Sequence, residues 1–184
     1  MAASSIKSKI VIVGDGACGK TSVVARVGDK TFESNYNPTV FENTVHGFDV
    51  NGVFLEMALW DTAGQEDYTR LNTLAYSNSD LLVICYSIAE RTTYENVKER
   101  WLMDAKTNCE GVPIILIGNK IDLRTSNTVT KEEGEKLAHD IGAIRYFECS
   151  AKDNMGIKEA FQEMAELLVT KKGAYKKKSK FLCC

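Results

Sequence analysis

The sequence has few of the residues that usually bind structural metals. Only two histidines occur among 184 residues, and none of the six cysteines forms a Cys-x-x-Cys pair, so a zinc site is not indicated. There is no run of about 18 apolar residues, which excludes a typical transmembrane helix. The first nine residues lack the apolar core of a signal peptide, so we expect no secretion. The cysteines are therefore expected to be free thiols in a reducing cytosol.

Charge is distributed unevenly along the chain. The sequence has 23 basic and 25 acidic residues, but residues 171–184 contain six lysines and no acid. The six are Lys171, Lys172, Lys176, Lys177, Lys178 and Lys180. An acidic body argues against a nucleic-acid-binding face, and a basic tail indicates contact with an anionic surface. The length fits one domain with one sizeable core.

Hydrophobic patterning predicts strands that alternate with helices. Apolar runs predict strands over residues 7–13, 80–87, 112–118 and 145–148, and alternation predicts a hairpin over 44–61 that turns at Asn51-Gly52. Helices are predicted over 20–27, 92–106, 130–141 and 156–172. Thr130 and Glu133 form a capping box, while Gly142 and Gly173 are expected to end the last two helices. Residues 29–43 and 64–79 are predicted to be long functional loops, the second with a short helix.

This alternation predicts an α/β fold in three layers. The sheet should have six strands, mostly parallel, with one antiparallel edge strand from the hairpin and helices on both faces. In such sheets ligands bind beyond the carboxyl ends of the strands. Four polar motifs follow predicted strand ends, so we expect them to converge on one rim.

The first of these motifs is Gly14 to Thr21, which has the pattern Gly-x-x-x-x-Gly-Lys-[Ser/Thr] of a phosphate-binding loop. Its glycines let backbone N–H groups surround an anion. Lys20 can reach the β- and γ-phosphates, and the Thr21 hydroxyl can ligate Mg²⁺. A helix that begins at Lys20 directs its positive end at the same phosphates. A loop that binds nothing is disfavoured, because strand, loop and helix follow in the required order.

The second motif is Asp-x-x-Gly-Gln, from Asp61 to Gln65. Asp61 can hold Mg²⁺ directly or through a water, although a turn aspartate is the alternative. Gly64 has no side chain, so its N–H can approach a γ-phosphate closely. Gln65 can orient an attacking water, a role that it gains only from its place in this motif.

The third and fourth motifs concern the base. Asn119-Lys120-Ile121-Asp122 follows a predicted strand, and the carboxylate of Asp122 can accept from the two adjacent donors on guanine, which adenine lacks. A pocket built for those donors rejects adenine, because a mismatch leaves buried groups unpaired. Ser150-Ala151-Lys152 can close the pocket with a backbone N–H and the Lys152 stem.

Together these motifs and Thr39 resemble the five nucleotide motifs of Ras-superfamily small GTPases, over residues 8–170. Residues 36–43 and 60–68 are similar to the two switch segments of the Rho/Rac/Cdc42 branch. The resemblance implies a P-loop G domain that binds GTP and GDP with Mg²⁺ and slowly hydrolyses GTP. It also implies a monomer that signals to effectors and the actin cytoskeleton, with exchange factors, activating proteins and a dissociation inhibitor as partners.

The resemblance assigns roles to individual residues. Gln65 and Lys20 are implied as catalytic, and Thr21, Thr39 and, through water, Asp61 as Mg²⁺ ligands. Tyr36 is implied to close over the phosphates and Phe32 to pack on guanine, with a plain core phenylalanine as the alternative for Phe32. The implied nucleotide-binding residues are Gly14, Asp15, Gly16, Ala17, Cys18, Gly19, Lys20, Thr21, Ser22, Phe32, Tyr36, Pro38, Thr39, Gly64, Asn119, Lys120, Asp122, Ser150, Ala151 and Lys152.

The chain departs from the Rho pattern in two places. Only seven residues, 123–129, separate Asp122 from the capping Thr130, too few for the insert helix of that branch. The chain is expected to divide into a G domain, 1–173, and a polybasic lipidated tail, 174–184. Its final Cys183 and Cys184 lack the spacing of a Cys-a-a-X box, so the tail is either a Rab-like Cys-Cys end or part of a longer tail. Lipid and lysines together predict attachment to the cytoplasmic face of the plasma membrane.

Two other functions remain open from the sequence. One is a permanently GTP-loaded scaffold, which the presence of Gly16, Thr39 and Gln65 disfavours. The other is a small-molecule kinase with a phosphate-binding loop, which would need a basic lid that the sequence does not show. Cys18, beside Lys20, is either a packing residue or a redox-sensitive thiol, and packing is the preferred interpretation.

Overall fold

The structure is a computed structural model that describes residues 5–32, 39, 41–64 and 74–181, with side chains as far as residue 173. Six strands form one sheet in the order β2-β3-β1-β4-β5-β6. They are β1 (Ser5–Val13), β2 (Phe41–Val50), β3 (Val53–Thr62), β4 (Leu81–Ser87), β5 (Ile114–Asn119) and β6 (Arg145–Cys149). Every neighbouring pair is parallel except β2 with β3, so the predicted sheet is confirmed.

The hairpin turns where the sequence predicts. Val50 lies opposite Val53, and the two turn residues have positive φ angles, 53° for Asn51 and 79° for Gly52. Positive φ at both central residues is the geometry of a type I′ turn, which follows the twist of the strands. The predicted start at Thr44 is wrong, because β2 begins at Phe41, so the last three residues of the predicted first loop belong to the sheet. Most of the second predicted loop, 65–73, lies outside the described residues, and residues 74–76 are helical.

Helices cover both faces of the sheet. They are α1 (Lys20–Val27), α2 (Arg91–Asn96), α3 (Leu102–Asn108), α4 (Lys131–Ile141) and α5 (Ile157–Phe181). A π-helical turn, Val97–Trp101, joins α2 to α3, and a short 3₁₀ helix, Ile121–Leu123, follows β5. Residues 124–130 contain no helix.

The predicted bounds of α1 and the cap of α4 are confirmed. The backbone N–H of Glu133 donates to Thr130 Oγ1 (3.2 Å), and the N–H of Thr130 donates to Glu133 Oε2 (2.8 Å). These two bonds satisfy donors that the first turn of a helix leaves free. Gly142 ends α4 with φ 71°, as the sequence predicts.

Two predictions about helices are wrong. The π-helical turn interrupts what the sequence predicts as one regular helix, and Gly173 does not end the last helix. A glycine inside a helix costs only about 1 kcal/mol, which good helix formers on both sides can offset. Just before this glycine, Lys172 Nζ donates to Asp80 Oδ2 (2.8 Å) and to the carbonyl of Lys7, which fixes α5 against the sheet.

Successive residues of the strands serve two separate cores, because side chains alternate across a sheet. Ile10, Ile12 and Val83 pack with α1 and α5, including Phe161 and Met164. On the other face, strand residues pack with α2, α3 and α4, and Trp101 is among the largest fully buried side chains. No helix in the described part of the chain is long and apolar enough to cross a membrane. This packing fixes the carboxyl ends of the parallel strands at one rim of the sheet.

Candidate nucleotide-binding site

One side chain joins three of the predicted motifs at this rim. Asn119 ends β5, and its Nδ2 donates to the carbonyl of Cys18 in the loop after β1 (3.0 Å). Its Oδ1 accepts from the backbone N–H of Ala151, after β6 (3.3 Å). Asn119 is 1% exposed, so these bonds are shielded from water. The predicted convergence of the motifs is therefore confirmed. The buried Asn119 side chain contributes by linking the backbones of the other two motifs.

The loop from Gly14 to Thr21 encloses the ammonium group of Lys20. Gly14 and Gly19 have φ angles of 145° and 97°, which let the chain curl around that group. Lys20 is 5% exposed, and its Nζ donates to the carbonyls of Gly14 (2.9 Å) and Asp15 (3.0 Å). No described carboxylate forms an ion pair with Lys20. A buried cation with only neutral partners is costly, so the loop is suited to an anion.

Three oxygen atoms cluster beside this lysine. The Thr21 hydroxyl donates to Asp61 Oδ2 (2.5 Å), and Thr39 Oγ1 lies 2.5 Å from Thr21 Oγ1. Asp61 is 1% exposed, and its Oδ1 has no hydrogen-bond partner among the described residues. Burial raises the pKa of Asp61 to about 6, against the opposing effects of the Thr21 hydroxyl and of Lys20. A buried carboxylate with a free oxygen next to two hydroxyls fits a hard cation such as Mg²⁺.

The glycine three residues after Asp61 touches the phosphate-binding loop. A Cβ atom on Gly64 would lie 2.3 Å from the backbone nitrogen of Gly16 and 2.7 Å from the carbonyl oxygen of Asp15. Only glycine permits that approach. The second motif therefore lies directly against the first.

The residues that the sequence predicts to recognise the base contact one another. The Ser150 hydroxyl donates to Asp122 Oδ1 (2.6 Å) and accepts from the backbone N–H of Asp153 (3.0 Å). Lys152 Nζ lies 4.0 Å from Asp122 Oδ2, which leaves that oxygen open to a stronger donor. Phe32 is 39% exposed, so the alternative of a core phenylalanine is wrong.

Arg26 is a residue of the site that the sequence does not predict. It lies in α1, and its Nε and Nη2 donate to the carbonyls of Ala151 (2.7 Å) and Lys152 (2.9 Å). The helix that follows the phosphate-binding loop thereby holds the segment that the sequence predicts to close the base pocket. No local sequence pattern predicts this contact, because the residues that Arg26 contacts lie about 125 positions further along the chain.

Cys18 packs inside the protein. It is 0% exposed, as the preferred interpretation predicts, and a hydrogen bond with Cys85 lowers the pKa of its thiol. Cys18, Cys85, Cys109 and Cys149 are free thiols. Ala17 has a positive φ of 60°, and Ser22 follows Thr21 in α1. The predicted residues Tyr36, Pro38, Gln65, Cys183 and Cys184 lie outside the described residues.

The fold and this rim define an α/β nucleotide-binding domain with a phosphate-binding loop. The family profile described as "Ras family" matches residues 9–170. GTP-binding protein RHO1 of Saccharomyces cerevisiae is 47% identical over 86% of this chain and 82% of its own length. GTP-binding protein Rho1 of Kluyveromyces lactis is 45% identical over 96% of this chain and 91% of its own. GTP-binding protein RHO1 of Eremothecium gossypii is 44% identical over 95% and 91% respectively.

The chain therefore belongs to the Ras family, as a small GTPase of the Rho type. It binds GTP and GDP and acts as a molecular switch by hydrolysing GTP. This activity excludes the small-molecule kinase and argues against the permanently loaded scaffold.

Proposed function

We propose that this switch hydrolyses GTP by positioning a water with Gln65 and neutralising the phosphates with Lys20 and Mg²⁺. The observation that carries the proposal is the oxygen cluster of Thr21, Thr39 and Asp61 beside the buried Lys20 (2.5 Å between Thr21 Oγ1 and each partner oxygen). Thr21 and Thr39 would hold the ion, and Asp61 would hold it through a water. A Mg²⁺ ion held by these residues would supply positive charge that stabilises the phosphate oxygens during transfer.

The chain's own groups would bind and orient the phosphates. Lys20 already lies inside the loop, 2.9 Å from the carbonyl of Gly14, and needs only to exchange carbonyl oxygens for phosphate oxygens. The backbone N–H groups of residues 14–21 and the positive end of α1 would stabilise the transferred phosphoryl group. The position of Thr39 would depend on whether a γ-phosphate is bound, since Thr39 lies in the segment before β2 and contacts Thr21 directly. Loss of that phosphate would release the segment, the usual basis of a nucleotide switch.

Guanine selectivity would come from Asp122. Its carboxylate is held by Ser150 (2.6 Å) while its second oxygen faces only the distant Lys152 ammonium. Phe32, whose side chain is exposed, would stack on the base. Comparison of GTP with ATP binding tests this assignment, because an adenine edge would leave Asp122 unpaired.

An activating protein would supply an arginine to the site. Arg26 donates to the carbonyls of Ala151 and Lys152, Arg91 pairs with Glu133 (2.8 Å), and Arg124 pairs with Glu148 (2.5 Å). These arginines are committed to structural contacts. An arginine from a partner accelerates such reactions roughly 10³–10⁵-fold, so we expect slow basal turnover.

The decisive experiment is single-turnover hydrolysis by Gln65→Leu. We expect the variant to retain GTP and lose hydrolysis, because leucine cannot orient a water. Gln162→Leu is a matched control, since Gln162 lies on α5 and donates only to Glu166 (3.4 Å). Unchanged hydrolysis in Gln65→Leu would remove Gln65 from the mechanism and leave GTP binding intact.

Residues 1–173 would form the GTP-binding domain and residues 174–184 a membrane-attachment tail. Lipid on Cys183 or Cys184, together with the lysines from Lys171 to Lys180, would give the two signals that stable attachment to an anionic membrane needs. The switch would then act at the cytoplasmic face of the membrane with exchange factors, activating proteins, a dissociation inhibitor and effectors. The absence of helix from residues 124–130 supports the expectation that the Rho insert is missing. Mass spectrometry of native protein that finds both cysteines unmodified would refute lipidation.

A further inference from the structure

The carboxylate of Asp15 is held by two side chains outside the nucleotide motifs. Asp15 lies in the phosphate-binding loop, between Gly14 and Gly16. Its Oδ1 accepts from the indole Nε1–H of Trp101 (2.7 Å), and its Oδ2 accepts from the Asn96 amide Nδ2 (2.6 Å). The Trp101 distance is at the short end of the usual N–H···O range and the Asn96 distance lies just below it, as expected for hydrogen bonds to a charged acceptor. The phosphate-binding loop thus carries a negatively charged side chain, Asp15, and each of its carboxylate oxygens accepts one hydrogen bond.

The π-helical turn explains how one helical segment supplies both donors. Asn96 and Trp101 are five residues apart, and five residues of a regular α-helix turn the chain about 140° beyond a full turn, toward different sides. The turn Val97–Trp101 instead has the i→i+5 hydrogen bonding of a π-helix, which brings residues five apart to the same side. Val97 and Trp101 are both 0% exposed, so packing fixes this register.

Placement of the Asp15 charge matters for the bound nucleotide. A carboxylate free to turn toward the phosphates would repel them, and like charges a few ångströms apart interact strongly where water is excluded. With Oδ1 on Trp101 and Oδ2 on Asn96, both oxygens face the helix. We propose that Asn96 and Trp101 are positioning residues that hold the Asp15 carboxylate away from the phosphates and thereby slow nucleotide release.

The test is the dissociation rate of fluorescently labelled GDP and GTP from Asn96→Ala in the presence of Mg²⁺. We expect release to accelerate about tenfold, because a hydrogen bond to a charged group is lost and the carboxylate is freed. Asn108→Ala is the matched control, since Asn108 lies in α3 and its amide donates only to the carbonyl of Asp104 (2.9 Å). The proposal rests on phosphate binding by this loop, and retention of labelled GDP by the wild type tests that separately.

A double-mutant cycle with Asp15→Asn shows whether Asn96→Ala accelerates nucleotide release through the Asp15 carboxylate. Without the charge on residue 15, Asn96→Ala should change the release rate by less than about threefold, because no carboxylate remains to be freed. Trp101→Phe removes the second donor, retains an aromatic ring, and should accelerate release while Asp15 is present. The proposal is overturned if Asn96→Ala releases nucleotide no faster than Asn108→Ala. It is equally overturned if Asn96→Ala accelerates release by the same factor whether or not the Asp15→Asn substitution is present.

Discussion

Replacing Asp61 by asparagine should stabilise the protein when metal and nucleotide are removed. Asp61 is 1% exposed, its Oδ2 accepts from Thr21, and its Oδ1 has no partner among the described residues. Burial raises the pKa of this carboxyl from 3.8 to about 6. Each pKa unit corresponds to about 1.4 kcal/mol, so ionised Asp61 reduces the free energy of unfolding by on the order of 3 kcal/mol. Asparagine has nearly the same shape and carries no charge.

The sign of this effect gives it a characteristic pH dependence. Folded Asp61 binds its proton more tightly than unfolded Asp61, so between pH 4 and about 6 the folded protein holds more protons. The free energy of unfolding therefore falls as pH rises through this window. Above about pH 6 Asp61 is ionised in both states, and its full destabilising effect is present. The advantage of Asp61→Asn over the wild type should be near zero at about pH 4 and about 3 kcal/mol at about pH 7.5.

Urea denaturation of both proteins, without nucleotide and in the presence of a chelator, measures this difference across the pH range. Asp29→Asn is the control, because it makes the same chemical change at a position where the side chain is 74% exposed. Surface changes of this kind usually stay within about 0.5 kcal/mol. An Asp61→Asn protein no more stable than the wild type at neutral pH would refute the reasoning. A pH-independent advantage would also refute it, because the effect would not come from ionisation.

Two further predictions concern residues that support the site. Ser150→Ala should weaken GDP binding about tenfold, because Asp122 loses the hydroxyl that holds its Oδ1 at 2.6 Å, and titration with labelled GDP measures the loss. Unchanged GDP affinity would show that Asp122 needs no such support. Thr130→Ala should lower the free energy of unfolding by about 1 kcal/mol through loss of the capping box, with GDP affinity unaffected, as urea denaturation and the same titration would check.

The sequence predicts contacts whose causes are local. The cap at Thr130 and the turn at Asn51-Gly52 depend on a few neighbouring residues, and both are confirmed. Convergence of the motifs on one rim follows from parallel strands, which is a property of the whole pattern. The π-helical turn could not be predicted, because residues 92–106 have ordinary helical periodicity. Val97 and Trp101 in this turn pack in a core cluster with residues that are distant in the chain.

Contacts between distant segments form the second class that sequence patterns do not predict. Arg26 meets Ala151 across about 125 residues, and Trp101 meets Asp15 across 86. Neither pair belongs to a motif with fixed spacing. The continuation of helix α5 through Gly173 is also accompanied by a long-range contact. Lys172 Nζ donates to Asp80 Oδ2 (2.8 Å), and these two residues are distant in the chain.

The continuation of α5 to Phe181 has a consequence for how the protein would sit on a membrane. The helix begins just after the base pocket, and its 25 residues span about 38 Å. Its far end therefore lies on the side of the domain away from the nucleotide. A membrane contact made by the chain beyond Phe181 would therefore be connected to the domain through this helical rod. Such a rod would limit the tilt of the domain and help decide which surfaces a membrane-bound partner can reach.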